Sequence, residues 1–473
     1  MKVILITPQL FLVCWAALIL TVDFLKRDGS RRGLGYLSLL GLAITAVLTM
    51  IAPNGHGFFN TYFADDYGRL FNEIFILSAM LTIIASIDFV EMRLSNKGEY
   101  YGLILLATVG MMFLSGAGEL ITLYVSLELA TIPLYVLAAF MKKDLKSTEA
   151  GLKYLIIGGA SSGILLFGLS LLYGLTGTTM LADIESWNLT GAGVNLGLAL
   201  AIVLFIAGFG FKLAAAPFHM WAPDVYEGAP TPVTAFLSVS SKAAGLVAFV
   251  RIFFSPLIVA RTDWVMLLEI VAVLAMVIGN FVALLQSNIK RMLAYSSIAQ
   301  VGYVMVALAA GNGYSIIGMM IFLMAYLFAN IGAFMVAIGF SNRTGSDQID
   351  DYAGLVRRNP LASVMMTIFM LSLVGIPPTA GFLGKYWLFA AAVKENIYWL
   401  VIIAVLMSVV SLFYYMNVVR KIFFHRGEDE SRIYFGPNLG LGIVISGIMV
   451  IVICVLPATF YQWASQAARV FFP

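Results

Sequence analysis

The 473-residue sequence is short of charge, of cysteine and of histidine. Asp, Glu, Lys and Arg together make up 11% of it, where soluble domains carry about a quarter, so an ordinary water-soluble fold is excluded. Its two cysteines, Cys14 and Cys454, lie in apolar runs at opposite ends of the chain, and no pair shows the spacing of an iron–sulfur or zinc site. The three histidines are His56, His219 and His425. Two of them fall in or near loops, which argues against a haem held between transmembrane histidines. No glycine-rich nucleotide loop follows a strand. Any electrons or ATP that drive this chain are therefore expected on other chains, with no cofactor and no metal held here.

What the sequence has is apolar length. Hydrophobic residues make up 61% of it, in runs of about 20, enough for a helix to cross a hydrocarbon core of roughly 30 Å. Lipid offers the backbone no hydrogen bonds, so helices are the expected spans and the expected fold class is an all-α integral membrane protein. Fourteen spans are predicted, near 3–25, 34–52, 70–90, 100–116, 118–140, 148–174 and 194–226, then 231–253, 263–285, 290–311, 315–341, 359–393, 396–424 and 437–463. The first has only Lys2 ahead of it and no small-residue cleavage site after it, and reads as a retained span rather than a signal. The longest loops, 53–69, 174–193 and 342–358, are too short to fold alone.

An even number of spans puts both termini on one side, and the placement of Lys and Arg decides which. Eighteen lie in one set of loops, among them Lys26, Arg27, Arg93, Lys142, Arg291, Arg358 and Arg420. The opposite set, with the termini, holds five: Lys2, Arg69, Arg261, Lys394 and Arg469. The richer set is expected in the cytoplasm and both termini outside it, in a cell (inner) membrane. The formal net charge of +3 reflects this asymmetry and is no signal for nucleic acid.

Five cations fall within spans: Lys153, Lys212, Lys242, Arg251 and Lys385. A charge at the bilayer centre costs from about 3 kcal/mol to above about 10, depending on the measure, so such residues are usually functional or paired. Arg251, near the outer end of its helix, is expected to snorkel to water. Lys242 lies about eleven residues, roughly 16 Å, from the start of its helix at Thr231, too deep for that. Glu128 lies nine residues past Glu119 in the run LYVSLELATIPLYV, again at mid-membrane depth. A fixed ion pair that locks two helices is the plainer reading of such a carboxylate.

Two of the lysines stand at breaks. Lys212 lies in GFGFKLAAAPFHMWAPDVYEGAPTP, where Pro217 and Pro223 cannot donate to the helix ladder. Lys385 lies in SLVGIPPTAGFLGKYWLF, after Pro377 and Pro378, in a stretch longer than one straight crossing needs. Broken spans in matching places point to a transport site between structural repeats. Pro217 and Pro377 are 160 residues apart, or five helices with their loops, and an odd repeat must be inverted. The expected organisation is helices 1–3 in 1–99, one inverted repeat in 100–255, a second in 256–425, and the last helix in 426–473. Prolines that only kink helices for packing are the simpler account of either break alone.

Lys153, near the cytoplasmic end of its helix and four residues after Glu149, suits a structural pair and a functional role equally. His219, just after the first break, suits packing or proton transfer. The set as a whole favours protons. Burial and partner distance together decide the protonation of Lys and Glu, so three lysines on separate helices with one carboxylate form a relay that moving an ion pair would switch. A sodium path would call for several carboxylates at depth.

These residues carry a resemblance. LYVSLELATIPLYVLAAF, STEAGLKYLI, GFGFKLAAAPFHMWAPDVYEGAPTPVTAFLSVSSKAAG, NIKRMLAYSSIAQVGY and GIPPTAGFLGKYWLF are similar to segments of the antiporter-like membrane subunits of respiratory complex I (NADH-quinone oxidoreductase), the subunit N family above all. Lys385 favours that family over the subunit M kind, where a glutamate is typical. The resemblance implies fourteen helices with two inverted five-helix repeats, half-channels at the broken helices and a mid-membrane proton path. It implies that Glu128 pairs with Lys212, that Lys242 is the central relay and that Lys385 serves the second half-channel. It also implies partners, namely subunit M and small membrane-arm subunits, with NADH, flavin, iron–sulfur clusters and quinone handled by other chains. A subunit of a multi-subunit cation/proton antiporter, the membrane arm of a hydrogenase or formate-linked complex, and a scaffold held by ion pairs remain open beside it.

Overall fold

Residues 3–25, 30–186, 196–427, 429 and 431–472 are described in the computed structural model of the chain. Lys2, Lys26 and Arg27, counted above in the charge asymmetry, lie outside these residues, as do 187–195.

Helices begin and end where the sequence supplies the means. Asp65 caps the helix Asp66–Arg93 by accepting from Gly68 N, and Asp144 accepts from Lys146 N at the head of Leu145–Thr176. Asn288 accepts from Lys290 N and Arg291 N at the head of Ile289–Ala310, and Asn312 forms a capping box with Ser315 ahead of Gly313–Thr344. These caps satisfy amides that the helix itself leaves free. Three of these helices stop at glycines in the left-handed conformation, Gly177, Gly311 and Gly345, the usual C-terminal signal.

In chain order, α1 (Thr7–Leu25) and α2 (Arg32–Ile51) lead to a hairpin of β1 (Gly55–Gly57) and β2 (Tyr62–Ala64). Then come α3 (Asp66–Arg93), α4 (Lys97–Ser115), α5 (Leu120–Ala138), α6 (Leu145–Thr176) and a short α7 (Leu181–Ser186). The first broken crossing is α8 (Leu196–Leu213) with α9 (Trp221–Gly228). The next span joins α10 (Thr231–Phe236), a π-helical turn over Leu237–Ser241, and α11 (Lys242–Phe253). After α12 (Arg261–Ala283), α13 (Ile289–Ala310), α14 (Gly313–Thr344) and a short α15 (Leu355–Arg358), the second broken crossing is α16 (Pro360–Val374) with α17 (Ala380–Lys394). Finally come α18 (Tyr398–Phe424), α19 (Pro437–Val455) and α20 (Pro457–Ala468).

Among the described residues, thirteen helical spans are long and apolar enough to cross a membrane, and α16 with α17 makes a further crossing in two pieces. The predicted spans map onto these with small shifts at their ends. The predicted last span, 437–463, stops at Val455 because Pro457 starts a separate helix. Residues 53–69, expected as a plain loop, contain the hairpin.

Burial orders the layers. α10–α11 is buried throughout and α14 over all but its ends, whereas α18 and α1 leave most of their length partly or fully exposed. The first group forms the interior. The second, with exposed residues such as Phe413 and Leu406, supplies the outer wall of the chain.

Candidate functional site

Glu128 is the ninth residue of α5 and so sits near its middle. Its Oε1 accepts from Lys212 Nζ of α8 at 3.3 Å and from Ser162 Oγ of α6 at 2.6 Å. Lys212 Nζ also donates to Ser162 Oγ at 3.0 Å and lies 3.5 Å from the Tyr135 hydroxyl. The lysine is 5% exposed, while the Glu128 side chain keeps 20% exposure. Lys212 falls in the last turn of α8, where the negative end of the helix dipole favours a cation. The helix stops there because Ala214 takes a left-handed φ of 55° and Pro217 cannot continue the ladder. His219 follows in the break, 7% exposed, with its buried Nδ1 unpaired among the described residues. Across the gap, the Trp221 indole N–H donates to Phe211 O at 3.0 Å and its ring stacks on Tyr154.

Lys242 lies midway through the span Thr231–Phe253, 2% exposed. Its Nζ donates to the backbone carbonyl of Ser297 on α13 at 2.8 Å and to the Ser297 hydroxyl at 2.6 Å. Directly before it, the π-helical turn interrupts the regular ladder, a feature found often at functional positions. Serines of that turn reach outward: Ser238 accepts from Asn330 Nδ2 of α14 at 2.6 Å, and Ser240 bonds Ser78 of α3. The buried hydroxyls of Tyr226 and Tyr326 lie beside Ser297 without a firm partner among the described residues.

Lys385 is the sixth residue of α17 and is 5% exposed. Its Nζ donates to Val374 O at 2.8 Å and to Ser408 Oγ at 3.2 Å, and lies 4.3 Å from the centre of the Tyr303 ring. Val374 ends α16, so its carbonyl belongs to the set that a helix terminus leaves without an internal donor. Gly375 makes the turn with φ 91°, and a Cβ there would stand 3.0 Å from Lys385 Cδ. Gly381 lets α17 lie against Ser372, whose carbonyl oxygen would be 1.7 Å from a Cβ.

Polar side chains on α12, α13 and α18 lie between the last two lysines. Ser296, next to Ser297, bonds the Tyr415 hydroxyl, and Gln300 Nε2 donates to Leu373 O at 2.8 Å and to Tyr415 at 3.4 Å. Asn280 donates to Tyr303 at 3.1 Å and accepts from Tyr414 at 3.1 Å. Among the described residues no hydrogen bond joins Lys212 to Lys242; Leu213 packs on Gly245 between them. The arrangement is one ion pair on the first side, one lysine in the middle, and a group of hydrogen-bonded polar side chains between it and the second break. Sequence reasoning missed Ser162, Tyr135, Ser297, Gln300 and Tyr415, since a hydroxyl or amide inside an apolar helix carries no signal of its own.

The remaining two buried-span cations differ from each other. Lys153 pairs with Glu149 at 2.8 Å, as its spacing predicts, and also with Asp224 of α9 at 2.8 Å. Arg251 corrects an expectation: it is 3% exposed and does not snorkel. It makes a two-pronged contact with Asp65 at 2.7 and 2.8 Å, donates to Ser115 O and lies over the Tyr67 ring.

The family model described as NADH:quinone oxidoreductase/Mrp antiporter, TM matches residues 117–411, which take in every residue from Glu128 to Lys385. NADH-quinone oxidoreductase subunit N of Moorella thermoacetica is 44% identical, over 99% of this chain and 98% of its own length. The chain belongs to the NADH:quinone oxidoreductase/Mrp antiporter family, on its subunit N branch. Subunit N of Heliobacterium modesticaldum, a further member, is 43% identical over 99% of each chain. A chain in the structure of respiratory complex I from Thermus thermophilus with bound aureothin is 32% identical, with a TM-score of 0.82 over 96% of this chain and 99% of that one. A chain of the Mrp complex from Dietzia sp. DQ12-45-1b is 19% identical with a TM-score of 0.88 over 100% and 98%, a likeness of fold that spans the family.

Proposed function

We propose that this chain is the proton-translocating, antiporter-like subunit of the membrane arm of an NADH-quinone oxidoreductase. Quinone reduction elsewhere in the complex opens or closes the Glu128–Lys212 pair, and a proton passes by Lys242 toward Lys385. Lys153 and His219 serve the first half-channel. The observation that carries this reading is the placement of three lysines in the interior on separate elements, with a carboxylate partner for Lys212 and neutral oxygens for Lys242 and Lys385. Whether a buried amine holds its proton depends on whether a carboxylate is within reach, so moving one ion pair changes what the next site can accept.

The two half-channels follow from the breaks at α8/α9 and α16/α17, read as the corresponding points of inverted repeats in 100–255 and 256–425. The excess of Lys and Arg in one set of loops supports placing both termini outside the cytoplasm. Partners are the sister subunit M and small membrane subunits, and NADH, flavin, iron–sulfur clusters and quinone belong to other chains of the complex.

The test is Lys242→Ala in the assembled complex, in sealed vesicles, with NADH oxidation and proton uptake measured together. Pumping is expected to fall to a small fraction of the wild-type rate. Normal pumping with normal electron transfer would sink the relay.

A further inference from the structure

The stretch NIKRMLAYSSIAQVGY contributes Ser297 to the relay, yet its two cations are not part of it. Lys290 pairs with Asp347 at 3.3 Å. Arg291 reaches from α13 to α9: its Nη1 lies 2.9 Å from Asp224 Oδ1 and 3.0 Å from Glu227 Oε2. The same two carboxylates are held from α6, Asp224 by Lys153 at 2.8 Å and Glu227 by Lys146 at 3.2 Å, while Lys153 also takes Glu149. Three cations and three carboxylates thus alternate across three elements.

Each pair is partly exposed, and exposed pairs alone contribute little. Their importance lies in what they fix. α9 is an eight-residue segment that begins after a break, so its place depends on what holds it from outside. It carries Trp221, which bonds across the break to Phe211, and Tyr226, which lies beside Ser297. On α13, Arg291 precedes Ser297 by six residues, about 9 Å, and Ser297 is the residue that holds Lys242.

We infer that Arg291 is a positioning residue of the relay: by bridging Asp224 and Glu227 it fixes the half-helix after the first break against the helix that holds Lys242. The inference rests on the relay reading above. Arg291 touches none of Lys212, Lys242 and Lys385, so it acts on them through α9 and α13, and through Asp224, which it shares with Lys153 of α6.

The experiment compares Arg291→Gln, Arg291→Lys and Lys242→Ala in the assembled complex in sealed vesicles, reading protons taken up per NADH oxidised. Arg291→Gln is expected to lower that ratio at least about fivefold, the lower end of coupling between sites, and Arg291→Lys, which keeps the charge, to restore most of it. The acid limb of the pumping profile should also move to higher pH in the Gln variant. Asp224 then keeps Lys153 from α6 but loses Arg291 from α13, with Glu149 and Glu227 still nearby. A merely structural tie would lower the yield or thermal stability of the complex and leave the ratio and the profile alone; that result overturns the inference. If Arg291→Gln does not assemble, Glu227→Gln decides on the same ratio: a fall supports the positioning role and no change overturns it. Lys242→Ala separates the two readings. Normal pumping there means the relay itself has failed, whereas a dead Lys242→Ala beside a normal Arg291→Gln removes only the positioning role.

Discussion

One oxygen of Glu128, Oε1, accepts both the Lys212 ammonium at 3.3 Å and the Ser162 hydroxyl at 2.6 Å, and Ser162 lies 3.0 Å from that ammonium. The serine bridges the ion pair and holds its two halves in register across α5, α6 and α8. Ser162→Ala keeps both charges and removes the bridge. Pumping is expected to fall about tenfold, equivalent to about 1.4 kcal/mol, in a complex that assembles normally. Dye-reported acidification of vesicles checks this, and an unchanged rate would show that the pair needs no bridge.

Arg251 and Asp65 make another buried pair, 186 positions apart in sequence. Asp65 also caps α3, so one carboxylate fastens the start of that helix to the far end of α11. Removing one member of such a pair leaves a buried charge alone and typically costs about 3–5 kcal/mol. Arg251→Ala should therefore lower the thermal unfolding temperature of the complex and its yield much more than Arg69→Ala, because the Arg69 side chain is itself 30% exposed in its pair with Asp66, against 4% for Arg251.

Gly375 turns the chain at the second break with a left-handed φ and Lys385 packed close. Gly375→Ala forces a side chain into that conformation and against the lysine, at a cost of about 1–3 kcal/mol, with pumping reduced as Lys385 shifts. Gly440→Ala in α19, where a Cβ meets nothing within 4 Å, is the control and should be neutral or slightly stabilising. Melting curves of the two variants, measured side by side, decide the point.

Asp224 illustrates the sign of the acid dependence. Burial would raise its carboxyl, but hydrogen bonds from Lys153 and Arg291 outweigh this and hold it below the ordinary carboxylate value. Glu227, held by Arg291 and Lys146, is lowered in the same way. A depressed folded-state value means that the stabilisation is complete above the unfolded value and is lost as pH falls through the folded one. Attachment of α9 should hold at neutral pH and loosen only below the usual carboxylate range. Hydrogen exchange of 221–228 as a function of pH should show this, with Asp224→Asn already loosened at pH 7.

The parts of this architecture that were legible in the sequence are those with local causes. Run length marks the crossings, and Pro217, Pro377 and Pro378 mark the breaks because a missing N–H acts within a turn of its own position. Glu128 and Lys212 stood out as charges where none belong. What stayed hidden is what distant pairing decides. Arg251 looked like a residue near a helix end because nothing local announces Asp65. Ser297 and Gln300 look like any other polar residue in an apolar helix until α11 and α16 are packed against α13. The π-helical turn before Lys242 has no sequence signature, and Pro457 was hidden by the apolar run on either side of it.

α14 is buried without interruption from Ser315 to Phe340, an axle with no lipid on any side. An enclosed rod of that length meets protein rather than bilayer along its buried stretch, and close packing of a protein interior resists a swing of the whole helix. The proton relay proposed above needs only light parts to move, the ends of lysine side chains and serine and tyrosine hydroxyls with the protons they exchange. Pumping should accordingly slow when exchangeable hydrogen is replaced by deuterium, measured as the ratio of vesicle acidification rates in the two waters.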